Sequence, residues 1–360
     1  MATKSQFDNL PLALSYDDVL LLPQYSEVDS RAQVILDTKI SKNLKLKIPL
    51  ISTKMDTITG VRMAAKMGEL GGMGILPRFE SIESQAKKVE QVAKFKVIAA
   101  AAVGCNPGFF ERAKSLVAAG ASVINIDVAH GHMKKNIEAT KKLKNYFGNN
   151  ITLISGIAST YECADDLFKA GADAVLVGVG AGSICTTRIQ TGSGSPGFYS
   201  LVEAAKAARK HNKVVIPDAG IRTSGDIVKA LAAGASAIVA GSLFAGTDET
   251  PGDIIKIEGK KYKRYNGSAS ESEKEKQVKK DPNGKNLMYT KHIEGVEAFK
   301  PYNGTVEELI IRLCAGIRSG LSYSGAFTIE ELWKKAKFIR VTNAGVVESN
   351  AHDVLVNRNS

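Results

Sequence analysis

The feature that most constrains the fold is a series of eight short apolar runs, separated by stretches with the spacing of amphipathic helices. The runs occupy residues 48–52, 73–76, 97–103, 122–127, 151–155, 174–177, 213–217 and 236–240. Strands that alternate with helices of about ten to fifteen residues are typical of right-handed β-α-β units and a parallel sheet. Eight such units close into a (β/α)8 barrel, the α/β fold called a TIM barrel.

A short repeat supports this fold. Ala-Gly-Ala followed by Ser or Asp occurs at 119–122, 170–173 and 233–236. Each copy predicts a helix that ends on glycine just before a strand. A doubly wound sheet is the alternative, disfavoured because the eight units include no GxGxxG opening. We therefore expect one barrel domain over residues 1–360.

The regular alternation stops at Pro251. Residues 260–300 are polar and rich in lysine, and they predict a long mobile flap inserted after the eighth strand and lying over the barrel rim. A hydrophobic helix over residues 306–314 follows the flap.

Composition and charge exclude several classes of protein. The formal charge is +11, and its densest basic clusters lie at 260–264 and 274–280. No nucleic-acid-binding motif accompanies these clusters, so a phosphorylated small molecule is the preferred partner.

The sequence also bears on location. No apolar run approaches the roughly 18 residues of a membrane span, and residues 1–10 lack the apolar core of a secretory signal. The four cysteines are far apart and include no CxxC pair, which disfavours a zinc site and indicates a reducing, cytoplasmic location.

The richest local motif is GVGAGSICTTR at residues 178–188, directly after an apolar run. Glycines let a backbone approach a ligand closely, and the amides and carbonyls of such a turn can bind a phosphate or a cation. Cys185 is placed as a nucleophile, and Thr186 and Thr187 bring hydroxyls to the same ligand. A glycine-rich turn around a buried small residue explains the spacing equally well.

Other polar or flexible residues also follow the predicted strands. Because a barrel of this kind carries its active site where strands run into the following helices, we expect these residues on one rim. They are Met55, Asp127, Ser183, Cys185, Asp218, Gly220, Gly241 and Ser242.

Seven segments give the chain a family resemblance. They are LSYDDVLLLP (14–23), MDT (55–57), GSICTTR (182–188), DAGIR (218–222), GSLFAG (241–246), YKRY (262–265) and AGIR (315–318). In this order they resemble the family of IMP dehydrogenases and GMP reductases over nearly the whole chain. The regulatory domain inserted in many of the dehydrogenases is not expected, because the chain passes from Arg78 to Val97 without room for it.

The resemblance implies chemistry at C2 of a purine nucleotide, with Cys185 forming a covalent intermediate. In the dehydrogenase direction a hydride passes to NAD and water hydrolyses the adduct to XMP. In the reductase direction ammonia leaves GMP and NADPH delivers a hydride to give IMP.

The same resemblance implies roles for individual residues. Asp218 would accept the ribose hydroxyls, although a capping aspartate is the alternative, and Met55 would contact the substrate. Asp127 and Arg78 would lie at the cofactor, and Glu348 would reach a neighbouring subunit of a homotetramer. Phosphate recognition would fall to Ser183, Gly220, Gly241, Ser242 and Tyr265, and a potassium ion to the carbonyls of Gly180, Gly182 and Cys185.

Two differences between the branches of the family favour the reductase direction. Dehydrogenases carry an Arg-Tyr pair in the flap, whereas this chain has no such pair near residues 280–283 and no arginine between Arg264 and Arg312. Reductases carry a carboxylate after the phosphate-binding tyrosine that works with a threonine to protonate ammonia. Glu271 fits that role with Thr187, although a solvated flap charge is the alternative.

The sequence therefore predicts an NADPH-dependent GMP reductase, with an NAD-dependent IMP dehydrogenase as the alternative. Two departures from the family pattern affect the nicotinamide contacts: Ile157 replaces an asparagine, and Arg78 replaces a histidine or lysine. Ile157 and the arginine-free flap keep open a purine-nucleotide-binding barrel with weakened turnover. The choice between NADPH and NADH stays open because no arginine-flanked ribose motif is recognisable. A different barrel enzyme that acts on another phosphorylated substrate is the residual alternative.

Overall fold

A computed structural model of the chain describes residues 10–280, 291–351 and 353–354. Its centre is a sheet of eight parallel strands, and each strand falls within, or overlaps, one of the eight apolar runs. The predicted (β/α)8 barrel is therefore confirmed. In chain order the strands are β1 (Leu50–Ser52), β2 (Met73–Leu76), β3 (Ala100–Val103), β4 (Val123–Ile126), β5 (Thr152–Ala158), β6 (Ala174–Val177), β7 (Val214–Pro217) and β8 (Ile238–Ala240).

Neighbours along the chain are neighbours in the sheet, except where the barrel closes. The strand order is β7-β6-β5-β4-β3-β2-β1-β8, so β8 pairs with β1 in parallel, with Ile238 opposite Leu50. The ring closes between β7 and the residues before β8, where the backbone N–H of Ser236 donates to the carbonyl of Val215 at 3.1 Å. Strand β5 runs to Ala158, three residues beyond the predicted run, with an irregular register between Ser155 and Ala158.

Eight helices surround the sheet, and the ends of several are set by local sequence. Thr160 and Thr223 accept hydrogen bonds from backbone N–H groups at the starts of their helices, as N-caps do. Gly120, Gly171 and Gly234 follow helix ends at φ values of 105°, 104° and 109°, a region that favours glycine, as the repeat predicted. The helices are α1 (Val61–Glu69), α2 (Ile82–Ala93), α3 (Phe109–Ala118), α4 (Lys134–Phe147), α5 (Tyr161–Lys169), α6 (Gly197–His211), α7 (Ser224–Ala232) and α8 (Val306–Tyr323).

Apolar side chains fill the inside of the barrel and the layer between strands and helices. Alternate residues of a strand point to opposite faces, so each buried strand supplies both layers. Members of the inner cluster include Ile51, Met73, Ile75, Ala100, Ala102, Val123, Ile154, Ala174, Leu176, Ile216 and Val239. A hairpin of Thr38–Lys39 and Lys45–Leu46 packs on this cluster through Ile40 and Leu46.

The flap contains regular structure. Strands β9 (Ile255–Ile257), β10 (Lys260–Asn266) and β11 (Glu297–Pro301) form an antiparallel sheet, and a flap helix spans Glu271–Lys280. The buried ammonium of Lys263 donates to the carbonyls of Thr250 and Gly252, at 2.9 and 2.6 Å, and so ties β10 to the barrel. Residues 281–290 lie outside the described residues, and with them most of the segment 280–283. Mobility of the flap stays a prediction.

Shorter elements complete the described chain. The strand Val19–Leu21 pairs antiparallel with Phe338–Arg340. Between Arg78 and Val97 the chain forms helix α2 and its connections, as expected for a chain without the regulatory insert. Within the described residues no helix combines the length and the apolar character needed to cross a membrane. The short helices are Arg31–Gln33, Thr187–Thr191, Ile329–Lys335 and Asn343–Glu348.

Candidate active site

A cavity of about 670 Å³ opens at the ends of the strands where they run into the helices, and flap residues line part of it. The structure brings all but two of the predicted ligand-contacting and catalytic residues to its walls. They are Met55, Arg78, Asp127, Gly180, Gly182, Ser183, Cys185, Thr187, Asp218, Gly220, Gly241, Ser242 and Tyr265. The exceptions are Thr186 and Glu271, which do not line the cavity; Glu271 begins the flap helix with an exposed side chain.

The loop after β6 is held against the flap by backbone pairing. The N–H of Thr186 donates to the carbonyl of Glu294 at 3.0 Å, and the N–H of Val296 donates to the carbonyl of Ile184 at 3.1 Å. Between these two bonds Cys185 pairs with Gly295 in an antiparallel bridge. The position of the Cys185 side chain therefore depends on the flap segment 294–296 as well as on its own loop.

A chain of polar side chains leads from Cys185 to the flap surface. The hydroxyl of Thr187 lies 3.1 Å from the Cys185 sulfur and donates to Oε2 of Glu294 at 2.6 Å. The other oxygen, Oε1, lies 2.7 Å from Nε2 of His292. Burial alone would raise the pKa of Glu294, but the bonds from Thr187 and His292 and the charge of Lys274 hold that pKa below its ordinary value. Glu294 is therefore an ionised carboxylate at neutral pH.

The position of this carboxylate differs from the one predicted from the sequence. Glu294, rather than Glu271, lies beside Thr187. The physical reason is the placement of the two segments: Glu271 lies on the exposed side of the flap helix, whose Lys274 lines the cavity, whereas the segment around Glu294 pairs with the Cys185 loop. In the sequence Glu294 is one of several carboxylates of the flap, and none of the motifs identified there marks it.

A buried lysine, absent from the sequence predictions, lines the cavity. Lys54 follows β1, its side chain is 6% exposed, and its ammonium hydrogen-bonds Oδ2 of Asp218. The same ammonium lies 3.5 Å from Oδ1 of Asp127. Burial would lower the pKa of Lys54, but the two carboxylates raise it above its ordinary value, so Lys54 is a cation. A charged residue next to Met55 at the end of β1 was the available signal.

Arg78 continues this row of charges toward β2. Its Nε lies 3.5 Å from Oδ2 of Asp127, and its guanidinium stacks over the Phe79 ring at 4.2 Å from the centroid. Burial leaves that Nε without a hydrogen-bond partner in the described chain. Ile157 lines the same part of the cavity with an apolar surface.

The residues predicted to bind phosphate cluster at another wall. The hydroxyls of Ser183 and Tyr265 lie 3.4 Å apart, and burial raises the pKa of Tyr265, which keeps it a neutral hydroxyl. A Cβ on Gly241 would come within 3.2 Å of that hydroxyl, so glycine keeps the wall open. Lys300 of β11, which the sequence did not single out, donates to the Ser242 hydroxyl at 3.0 Å.

The glycine-rich loop offers neutral oxygen atoms. Gly180 has a φ of 74°, a region that favours glycine, and the carbonyl of Gly182 accepts a hydrogen bond from the Cys185 N–H at 3.1 Å. Neutral carbonyl oxygens suit a monovalent cation, whereas a divalent cation prefers carboxylate ligands. The chemistry of these donors fits the potassium ion implied by the resemblance.

Comparison with known proteins assigns the chain to a family. A family model described as "IMP dehydrogenase / GMP reductase domain" matches residues 13–352. The chain belongs to this family. It is therefore an oxidoreductase of the kind that uses nicotinamide cofactors, which confirms the resemblance seen in the sequence.

Proteins similar to this chain include both dehydrogenases and reductases. The chain is 38% identical to inosine-5'-monophosphate dehydrogenase of Cryptosporidium parvum, with 96% of each chain covered. It is 31% identical to GMP reductase of Leishmania major, with 98% of this chain and 99% of the relative covered. Among solved structures, GMP reductase from Trypanosoma brucei in complex with guanosine 5'-monophosphate matches with a TM-score of 0.90 and 29% identity. That match covers 97% of this chain and 100% of the other.

Proposed function

We propose that the protein is a GMP reductase, which converts GMP to IMP and ammonia with NADPH. The observation that carries this proposal is the chain of contacts from Cys185 through Thr187 to Glu294 and His292. It joins a nucleophile to a partly buried acid–base group, and a leaving amine needs both. The similarity to GMP reductases, including one solved with guanosine 5'-monophosphate, supports the same substrate.

The first half of the reaction uses the protein's own proton donors. The Cys185 sulfur forms a bond to C2 of GMP, the bond from C2 to the exocyclic nitrogen breaks, and the amine leaves as ammonia. The thiol proton balances this exchange, and the Thr187 hydroxyl, 3.1 Å from the sulfur, is placed to pass it to the amine. Glu294 orients that hydroxyl and keeps it polarised through the 2.6 Å bond.

The second half releases the nucleotide. When bound, NADPH supplies the hydride that replaces sulfur at C2. Cys185 then leaves as a thiolate and regains a proton through Thr187 and Glu294, with His292 connecting Glu294 to solvent. The residues around Asp127 fit a nicotinamide riboside, because a carboxylate can accept its hydroxyls and Ile157 and Val128 supply an apolar wall.

Binding roles follow from the walls of the cavity. Asp218 accepts hydrogen bonds from the ribose hydroxyls, and Met55 contacts the base. Asp127 and Arg78 hold the cofactor, and Gly180, Gly182 and Cys185 offer carbonyl oxygens to potassium. The phosphate is bound by Ser183, Gly220, Gly241, Ser242 and Tyr265, with Lys300 added from the flap. A homotetramer, with Glu348 reaching a neighbouring subunit, completes the proposal.

One observation favours the second candidate, an IMP dehydrogenase. Glu294 is ionised, and an ionised carboxylate linked to Thr187 can also accept a proton from an attacking water. The similarity to the Cryptosporidium parvum dehydrogenase points the same way. The two candidates share Cys185 and differ in whether ammonia leaves or water attacks.

The test is the absorbance of reduced nicotinamide with two substrate pairs. We expect the signal to fall with GMP and NADPH, with one ammonia released per hydride, and to change far more slowly with IMP and NAD. The same assay with NADH in place of NADPH measures the cofactor preference. Faster turnover of IMP with NAD would assign the dehydrogenase activity, and binding without turnover in either pair would leave a nucleotide-binding barrel.

A further inference from the structure

The fold does not require a charged side chain at position 54. Its side chain lines the cavity, and its ammonium is buried between two carboxylates that come from different strands, Asp218 after β7 and Asp127 after β4. A buried ion pair contributes little net stability compared with an apolar side chain of similar size, because desolvation offsets the attraction. The charge of Lys54 is therefore better explained by a ligand than by the fold.

The contacts of Asp218 indicate which hydrogen-bonding groups the ligand must carry. Thr53 donates to Oδ1 of Asp218 at 3.4 Å, and Lys54 donates to Oδ2. Asp218 can only accept hydrogen bonds, whereas each ribose hydroxyl both donates one and accepts others. An ammonium carries three donors, and Lys54 directs one to Asp218 while a second faces Asp127 at 3.5 Å. Among the described residues no acceptor is seen for the third donor, which can reach a hydroxyl oxygen in the cavity.

We propose that Lys54 is a ribose-binding residue, which donates to a hydroxyl oxygen of the nucleotide while Asp218 accepts the hydroxyl proton. The inference rests on the proposed function in one respect, that the ligand is a purine ribonucleotide. The paired groups satisfy both hydrogen-bonding capacities of one hydroxyl, so they discriminate ribose from deoxyribose more strongly than a carboxylate alone. Removal of the ribose hydroxyl nearest to Lys54 and Asp218 should therefore weaken nucleotide binding most.

The test compares the binding of GMP with that of 2'-deoxy-GMP and 3'-deoxy-GMP by calorimetry. Lys54→Met keeps the unbranched shape of the side chain, one atom shorter, and removes its charge and its donors. Hydrogen bonds to charged groups are strong enough that losing one weakens binding by about tenfold or more. We expect Lys54→Met to weaken GMP binding by about that factor and to reduce the preference for GMP over one deoxynucleotide to about threefold or less.

Two controls separate this role from a general electrostatic one. Lys300→Met removes a cation at the phosphate end, which all three nucleotides share, so it should weaken them equally. Lys47→Met removes an exposed lysine paired with Asp37 and should change nothing. Lys54→Gln keeps an N–H donor without the charge and should retain part of the preference, which also provides a test if the methionine variant does not fold.

The outcomes are distinct. An equal loss for GMP and both deoxynucleotides in Lys54→Met would show that the ammonium only balances the two carboxylates, and unchanged affinities for all three nucleotides would show that it does not touch the ribose. Either result overturns the inference. Failure of the unaltered protein to bind GMP or IMP would instead contradict the proposed function.

Discussion

Thr187 donates its hydroxyl hydrogen bond to Glu294 at 2.6 Å, although the two residues are 107 positions apart in the chain. Thr187 belongs to the loop after β6, and Glu294 belongs to the flap segment that returns to that loop. The contact exists because backbone pairing on both sides of Cys185 fixes the flap to the loop. The proposed acid–base group of the site is thus supplied by the flap, and its contact with Thr187 depends on the position of the flap.

Replacement of Glu294 should slow the loss of ammonia. Glu294→Gln keeps the shape of the side chain but cannot exchange a proton with Thr187, and general acid–base assistance is worth about 10²- to 10⁴-fold. We expect ammonia release to fall by about that factor, while hydride exchange between IMP and oxidised cofactor persists. Glu271→Gln is the matched control and should keep the parent rate, because Glu271 is exposed and outside the cavity. The reverse result would return the role to Glu271.

The pH dependence of the rate should report the protonation state of the Glu294 carboxyl. The pKa of this carboxyl is lowered, so activity that needs the carboxylate is present at neutral pH and is lost only as pH falls below the ordinary range of a glutamate. His292→Ala removes a hydrogen bond and a positive charge from the carboxylate, so that pKa rises and the acidic limb moves to higher pH. The other group facing Glu294, Lys274, is unchanged in this variant.

Added imidazole provides the control for His292. The ring is 54% exposed, so a small base can take its place in the variant. We expect imidazole to restore part of the rate of His292→Ala and to leave Glu294→Gln unaffected. An acidic limb that does not move in His292→Ala would remove His292 from the proton path.

The parts of the structure that the sequence predicted are those encoded over short distances. Each strand is a local apolar run, and Gly120, Gly171 and Gly234 mark helix ends through their own backbone conformation. The rim residues followed from one rule, that the carboxyl ends of barrel strands meet at one face. The positions of Cys185 and Asp218 on the rim followed from this rule alone.

The parts that it did not predict depend on contacts between distant segments. From Tyr265 onward, spacing alone cannot show which carboxylate of the flap returns to the cavity, and Glu271 was the nearer choice. Lys54 lies beside Met55 at the rim, but its ion pairs are with Asp218 and Asp127, which follow other strands. The sequence near Lys54 does not show these contacts. Lys300 reaches Ser242 only because β11 pairs with β10, as in the register of Tyr265 with Ala298.

Alkylation should distinguish Cys185 from the other cysteines. Cys105, Cys163 and Cys314 are buried, and burial raises the pKa of each thiol, in Cys163 to about 12. Only a thiolate reacts readily, so a mild alkylating agent at neutral pH should modify Cys185 first and abolish activity. Cys185→Ala should resist labelling, lose about 10³-fold or more in turnover and bind GMP within a few-fold of the parent protein. Rapid labelling of Cys185→Ala would contradict this assignment.

Monovalent cations should affect the rate. The carbonyls of Gly180, Gly182 and Cys185 offer neutral oxygens, which suit potassium, and a divalent metal would need carboxylate ligands. We expect activity to rise with potassium and to be indifferent to a chelator of divalent metals. Replacement of potassium by a bulky organic cation at equal ionic strength is the control. Equal rates in the two salts would exclude a potassium ion from catalysis.

Removal of the Lys300 charge should weaken the binding of the nucleotide through its phosphate. Lys300 contacts Ser242 at 3.0 Å from β11, so its ammonium lies next to a proposed phosphate ligand. A charge-assisted hydrogen bond to phosphate is strong, and we expect Lys300→Met to weaken GMP binding by about tenfold while guanosine binding changes little. Lys261→Met, an exposed lysine of the neighbouring strand β10, is the matched control and should leave both affinities unchanged. A parallel loss for GMP and guanosine would show that Lys300 supports the flap instead of the phosphate.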